Sequence, residues 1–289
     1  MTPWVFLVVG LFVIGVIQAL IEPRMLVTER HKAHVPGLPA SWEGATVALL
    51  ADFQVGLFGD NRSTVGRAVE RVLEERPALV LIAGDFIHDT ARAIEPVTEL
   101  LCPLTDAGLP CYAVLGNHDY AMPTEKDTPD LELARRLTSA LEEIDVQVLE
   151  NEAVRLENEA GEALYLVGIG THTPGHDDPE KALAAVPEGA PRIVMMHHPS
   201  SFANVPACAA PFAVAGHTHG GQVRLPLGPG WSLLTWLRDG EVYTDDWVRG
   251  HGKVGNRLYV TRGLGCSVAP VRLNCLPELT LFTLTAQKV

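Results

Sequence analysis

The chain has 289 residues, with 22 Lys and Arg against 35 Asp and Glu and a formal net charge of −13. Its 47% hydrophobic and 20% charged content excludes a disordered chain, and the length suits one large domain or two small ones. The acidic balance also excludes a generic nucleic-acid binder, which needs a basic face to displace counterions.

Residues 4–21 read WVFLVVGLFVIGVIQALI, eighteen positions without a charge. As a helix they span about 27 Å, close to the hydrocarbon thickness of a bilayer. No basic residue precedes the run, and Ile-Glu-Pro-Arg after it is a poor cleavage site, so an uncleaved anchor is expected rather than a signal peptide. Arg24, Arg30 and Lys32 follow the run and place the C-terminal domain on the cytoplasmic side of a single-pass protein. The division expected is an anchor over 1–22, a stalk and lead-in strand over 23–44, and a catalytic domain over 45–289.

From there apolar runs alternate with amphipathic stretches. Strands are predicted at 45–51, 78–83, 111–115, 146–149, 164–169, 193–196 and 212–215, and again at 258–261 and 278–285. Helices are predicted at 62–75, 93–101 and 131–144, the first with Val65, Ala68, Val69 and Val72 on one face. Such alternation implies βαβ units and an α/β sandwich of buried mixed sheets with helices outside. Cys102, Cys111, Cys208, Cys266 and Cys275 form no C-x-x-C pair and read as reduced thiols rather than a disulfide framework.

Chemistry concentrates where the strands end. Asp52 follows the first run, Gly84-Asp85 the second and Gly116-Asn117-His118-Asp119 the third; His197-His198-Pro199 and Gly216-His217-Thr218-His219 follow the runs at 193–196 and 212–215. Any one of these is an ordinary turn or cap. Together they should meet in one crevice, because ligands of α/β sheets bind at the carboxyl ends of strands. Asp, Asn and His without Cys suit Mn²⁺, Fe or Zn²⁺ in a hydrolytic site. His31, His34, His172, His176, His198 and His251 read as structural histidines, and His88 as a loop histidine facing solvent, with an approach to the crevice as the alternative.

The order of these motifs over residues 45–220 resembles the calcineurin-like metallophosphoesterases, and the stretch YVTRGLGCSVAPVRLNCLPELTLFTL resembles their membrane-associated bacterial branch, which includes the YkuE- and YaeI-type phosphodiesterases. The resemblance implies a four-layer α-β-β-α sandwich of mixed sheets and two divalent metal ions bridged by Asp85. Asn117, His197 and His217 would complete one metal site, with His198 the alternative to His197 before Pro199, and Asp52 with His219 the other. A metal-bridging hydroxide would attack a phosphoester, most readily a phosphodiester or pyrophosphate of a lipid or nucleotide. His118 would stabilise developing charge or protonate the leaving group, and Asp119 would orient His118. The family pattern has Asp-x-His where this chain has Asp52-Phe53-Gln54, so Gln54 offers at most a carbonyl oxygen to the first metal. Two other readings use the same residues: a catalytically silent, membrane-tethered metal-binding module, and a phosphoprotein phosphatase. Selectivity is expected in 121–130, 171–180 and 223–256, where Trp231, Trp236 and Trp247 read as packing residues, with a membrane-facing lip as the alternative.

Overall fold

The computed structural model describes residues 3–59, 61–157, 161–224, 245–248 and 251–287. Helix α1 (Pro3–Ile21) carries no charge, and the span Trp4–Arg24 is long and apolar enough to cross a membrane, its apolar stretch unburied by the rest of the protein. Strand β1 (Val27–His34) follows, then β2 (Thr46–Leu50), α2 (Arg62–Glu75), β3 (Leu79–Ala83), α3 (Ile94–Asp106), β4 (Cys111–Val114), α4 (Leu131–Glu142) and β5 (Val146–Val148). The second half holds β6 (Glu152–Glu157), β7 (Ala163–Gly168), α5 (Pro179–Leu183), β8 (Arg192–Met195), β9 (Ala213–Ala215), β10 (Asp246–Trp247), β11 (Leu258–Val260) and β12 (Glu278–Thr285).

Among the described residues these strands form two six-stranded mixed sheets, ordered β1-β12-β2-β3-β4-β5 and β10-β11-β9-β8-β7-β6. Strands β2 to β5 run parallel, as do β7, β8, β9 and β11. Two-residue periodicity sends alternate side chains to opposite faces. Val47 and Leu49 of β2 therefore join Leu166, Ile193 and Phe212 between the sheets, while Ala48 and Leu50 pack with Val65, Val69, Val97 and Leu137 under the three long helices. The outer face of the second sheet is covered more thinly, by α5 and a 3-10 turn over Pro199–Asn204 that supplies Phe202. The α/β sandwich is thus as expected, with one helical layer much slighter than the other.

Three segments differ from their sequence reading. Residues 22–44 carry more than a lead-in, because β1 pairs in parallel with all of β12, from Val27 beside Glu278 to His34 beside Thr285. Its charged sequence, VTERHKAH, hides it, since it is an edge strand of which only Ala33 is fully buried. Strand β6 (EAVRLE) escapes notice for the same reason. Helix α3 runs on to Asp106 through Pro103, where the proline suggests an earlier end. All five cysteines are free. Trp231 and Trp236 lie outside the described residues; Trp247 packs against His31, Phe212, Tyr259 and Phe282 beneath the Arg257 guanidinium, as a packing residue should.

One residue joins the C-terminal loop, the first helix and the crevice. Arg272 is fully buried, and its guanidinium donates to the carbonyls of Arg262, Gly263, Gly265, His219 and Cys275. Its own backbone N–H donates to Ala19 O, in the last turn of α1. Gln18 donates to Asn274 Oδ1, and the buried Glu22 carboxylate accepts from Cys275 N. Carbonyls left over at a helix end need partners, and here the domain supplies them. Removing the guanidinium strands several buried acceptors at once. Arg272→Ala is therefore expected to cost about 3 kcal/mol or more, a fall of roughly 6–12 °C in Tm for a domain of this size. Thermal unfolding in detergent checks this; an unchanged midpoint would mean that the carbonyls find other partners.

Candidate active site

The parallel strands end on the same side of the sandwich. Asp52 lies just beyond β2, Asp85 beyond β3, Asn117 beyond β4, His197 beyond β8 and His217 beyond β9. The chain must turn sharply at each exit. Asp52, Gln54, Asp85, His217 and His219 all take positive φ, between 49° and 74°. That conformation is unfavourable for residues with a Cβ and gathers at functional sites. Glycines provide the close approach: a Cβ on Gly84 would come within 2.7 Å of His197 Nδ1, and one on Gly116 would overlap the Asp85 carboxylate.

Two ligand clusters result. The donor atoms of Asp52, Asp85 and His219 lie within 4.8 Å of one another, as do those of His197, His198 and His217. Asp85 links them, because its Oδ1 stands 3.3 Å from His197 Nε2. Asn117 Oδ1 is 3.1 Å from His217 Nδ1, and the Asn117 amide is fixed by donation to Met122 O at 2.6 Å. The backbone sets the tautomers. His197 Nδ1 donates to Ala83 O at 2.7 Å and His219 Nδ1 to Gly265 O at 3.3 Å, leaving each Nε2 to face the crevice. Such outer hydrogen bonds hold imidazoles in ligating orientation.

The charges fit a cation site. Asp52, Asp85 and Asp119 are all buried. Burial, reinforced by the charge of Asp85, pushes the carboxyls of Asp52 and Asp119 up to about 7. Burial works on Asp85 too, but His197 and His118 outweigh it and hold that carboxyl well below the usual range. Attraction to Asp85 likewise overcomes burial at His197 and raises it to about 9. Burial and the Arg272 guanidinium keep His219 well below its ordinary value and so neutral, the form that binds a metal. Carboxylates this crowded cannot all ionise in a dry pocket without added cations. Carboxylate, amide oxygen and imidazole donors without thiolate suit hard or borderline dications.

Four residues sit differently from their sequence reading. The resemblance puts Asp119 against the His118 ring. Its carboxylate instead accepts from the backbone N–H groups of Asp85, Ile87 and Gly116 at 2.8–3.1 Å, which pins the two loops that carry Asp85 and Asn117. The His118 ring is held by His88, to whose carbonyl Nδ1 donates at 2.7 Å and whose ring stacks on it at 4.8 Å. His88 therefore does reach the crevice. Its Nδ1 is 2.8 Å from Gln54 Oε1, while Gln54 Nε2 donates to Asp85 Oδ2 at 2.7 Å. Gln54 thus turns an amide N–H, not a carbonyl oxygen, toward the crevice. His198, which reads as structural in sequence, stands in the second cluster with its ring centroid 4.0 Å from that of His217 and its Nδ1 on Thr171 Oγ1. The doubled His197-His198 was the available signal for it; for Arg272 there was none.

Comparisons with known proteins identify the family of the fold. A family model described as calcineurin-like phosphoesterase matches residues 45–221. The chain is 31% identical over 241 residues to phosphodiesterase YaeI of Escherichia coli, covering 82% of this chain and 81% of that one. It is 27% identical over 270 residues to the uncharacterised metallophosphoesterase YkuE of Bacillus subtilis, covering 91% and 87%. The UDP-2,3-diacylglucosamine pyrophosphatase LpxG of Chlamydia muridarum is 24% identical over 291 residues, with 85% of each chain covered.

The link from His88 through Gln54 to Asp85 can be cut without touching a metal-ligand candidate. His88→Ala should weaken Mn²⁺ binding about tenfold, the usual cost of losing an outer hydrogen bond. Calorimetric titration of metal-free protein reads this directly. An unchanged isotherm would show that Gln54 holds Asp85 unaided.

Proposed function

The chain belongs to the calcineurin-like phosphoesterase family and is a hydrolase of phosphoesters; we propose that it is a dimetal enzyme, anchored in a membrane by α1, that cleaves a phosphodiester or pyrophosphate carried by a lipid. The observation that carries the dimetal reading is the position of Asp85, one carboxylate adjoining both ligand clusters. Asp52, Asp85 and His219 would hold one ion, and Asp85, Asn117, His197 and His217 the other. Mn, Fe and Zn all fit these donors. Bound ions would neutralise the phosphate oxygens and lower the pKa of water at the phosphorus, which also lets so acidic a chain hold an anion.

The chain's own groups complete the chemistry. With Nδ1–H committed to His88 O, His118 works through Nε2, either giving a proton to the leaving oxygen or hydrogen-bonding the charge that develops there. Asp119 holds the loops of Asp85 and Asn117 in register and is a positioning residue. His198, beside His217, is placed to bind a phosphate oxygen.

Two observations favour an anchored enzyme and a lipid substrate. The end of α1 is bonded into the domain through Ala19, Gln18 and Glu22, contacts that removal of a leader would sacrifice. An anchor in turn raises the effective concentration of any substrate in the same bilayer. The name of the Chlamydia relative, a pyrophosphatase of a diacylated sugar nucleotide, supports the same class of substrate. A nucleotide without a lipid is the other candidate. The basic residues after α1 favour a cytoplasmic domain: Arg24 lies at the helix end, with Arg30 and Lys32 on β1.

The test is hydrolysis of bis(p-nitrophenyl) phosphate by the full chain in detergent with Mn²⁺. Asp85→Ala should abolish turnover. His118→Ala should lower kcat by about 10²–10³-fold with the metal content unchanged. Turnover undiminished in Asp85→Ala would contradict the assignment. Metal-loaded protein inert toward a broad phosphoester panel would favour the silent, tethered module, the reading that Gln54 keeps open.

A further inference from the structure

Two apolar side chains stand almost fully in solvent beside the crevice. Phe58 is 88% exposed and Val268 83% exposed. Phe58 lies on the turn that follows Gln54, closed by donation from Leu57 N to Gln54 O. Val268 lies on the loop after Gly265, whose N–H donates to Asp52 O at 2.7 Å and whose carbonyl accepts from His219 Nδ1. Both loops are therefore walls of the ligand clusters. The lip residues sit four and three positions from Gln54 and Gly265, a reach of at most roughly 14 Å.

The lip is built, not frayed. Pro270 packs on Gly59, where an added Cβ would come within 2.9 Å of Pro270 Cγ, so the two loops support one another. The buried Gln222 side chain clamps the second loop from both sides, accepting from Ser267 N at 2.8 Å and donating to Ala269 O at 3.0 Å. Four residues beyond Val268, Arg272 N holds Ala19 O of α1. Four residues of chain thus join Val268 to the end of α1, the one helix among the described residues suited to a membrane. Arg24 stands at that level, its guanidinium on Leu20 O, where a cation suits lipid headgroups. A net charge of −13 gives the domain no general attraction to an anionic bilayer, so close contact with one needs apolar insertion.

We infer that Phe58 and Val268 insert into the bilayer beside α1 and fix the mouth of the crevice on the membrane surface. The inference rests on α1 as an anchor and says what the anchor is for: it brings one particular face of the domain to the lipid. The bonds from the end of α1 to Arg272, Asn274 and Cys275 already hold the domain against the helix. Two apolar side chains on the rim of the ligand clusters orient it, with the clusters facing headgroup phosphates.

Site-directed fluorescence tests this. One added cysteine is placed by Phe58→Cys, Val268→Cys or Val254→Cys in the full chain carrying Cys102→Ser and Cys208→Ser, which leaves only the buried native thiols Cys111, Cys266 and Cys275, and each is labelled with bimane. Val254 is the control: it is as exposed as Val268, at 83%, but lies on the loop preceding β11, at the end of that strand remote from the crevice. The proteins are reconstituted into nanodiscs of phosphatidylglycerol and brominated phosphatidylcholine. Emission at positions 58 and 268 should fall about twofold relative to unbrominated discs, as expected for side chains at acyl-chain depth, while position 254 is unaffected. Emission at 58 and 268 as insensitive to bromine as at 254 would overturn the inference. Quenching requires no turnover, so this result and the hydrolysis result fail independently.

Discussion

The structure turns on the burial of three carboxylates, Asp52, Asp85 and Asp119, in one pocket. Left alone such groups repel one another and resist ionisation, and the pocket shows that tension in the raised carboxyls of Asp52 and Asp119 beside an ionised Asp85. The protein relieves it in two ways. Asp119 is satisfied by three backbone amides and serves the loops. Asp52 and Asp85 are surrounded by imidazoles, which in their neutral form offer lone pairs that suit a dication, and this makes the crowded carboxylates the functional feature of the fold.

Holding this arrangement demands much of the backbone around it. Five crevice residues adopt left-handed φ, and Gly84 and Gly116 must lack side chains for Asp85 and His197 to meet. The sheets supply the rigidity. Each ligand leaves the end of a strand buried on both faces, so the core fixes where the turns begin. Arg272 extends that rigidity to the C-terminal loop and, through Ala19, to α1. Helix α1 and the ligand clusters are therefore parts of one hydrogen-bonded assembly.

The strands buried on both faces were legible because their sequences are short apolar runs closed by Gly, Asp, Asn or His; helix α2 was legible residue by residue. Strand β6 was not, and β1 was expected only as an unplaced lead-in strand within 23–44, since edge strands carry charges and lose the apolar signature. The ligand candidates at the strand ends could be read because residue type and position carry that chemistry. Their outer partners could not. Nothing in a sequence says that Asp119 will take backbone amides while His88, thirty residues from His118, offers its carbonyl to that ring. The same holds for Gln54, whose departure from Asp-x-His is plain but whose amide orientation follows from where the His88 ring falls. Arg272 looks like a surface residue in a loop of Gly, Pro and Cys, and only the fold shows it buried.

The central claim is that one carboxylate, Asp85, is shared by two metal ions. Low-temperature electron paramagnetic resonance of the chain loaded with Mn²⁺, combined with elemental metal analysis, tests it most directly. The account predicts two manganese ions per chain and the exchange-coupled spectrum of a bridged pair, lost on Asp85→Ala. A single ion per chain, or two giving only the uncoupled signal of isolated Mn²⁺, would contradict it.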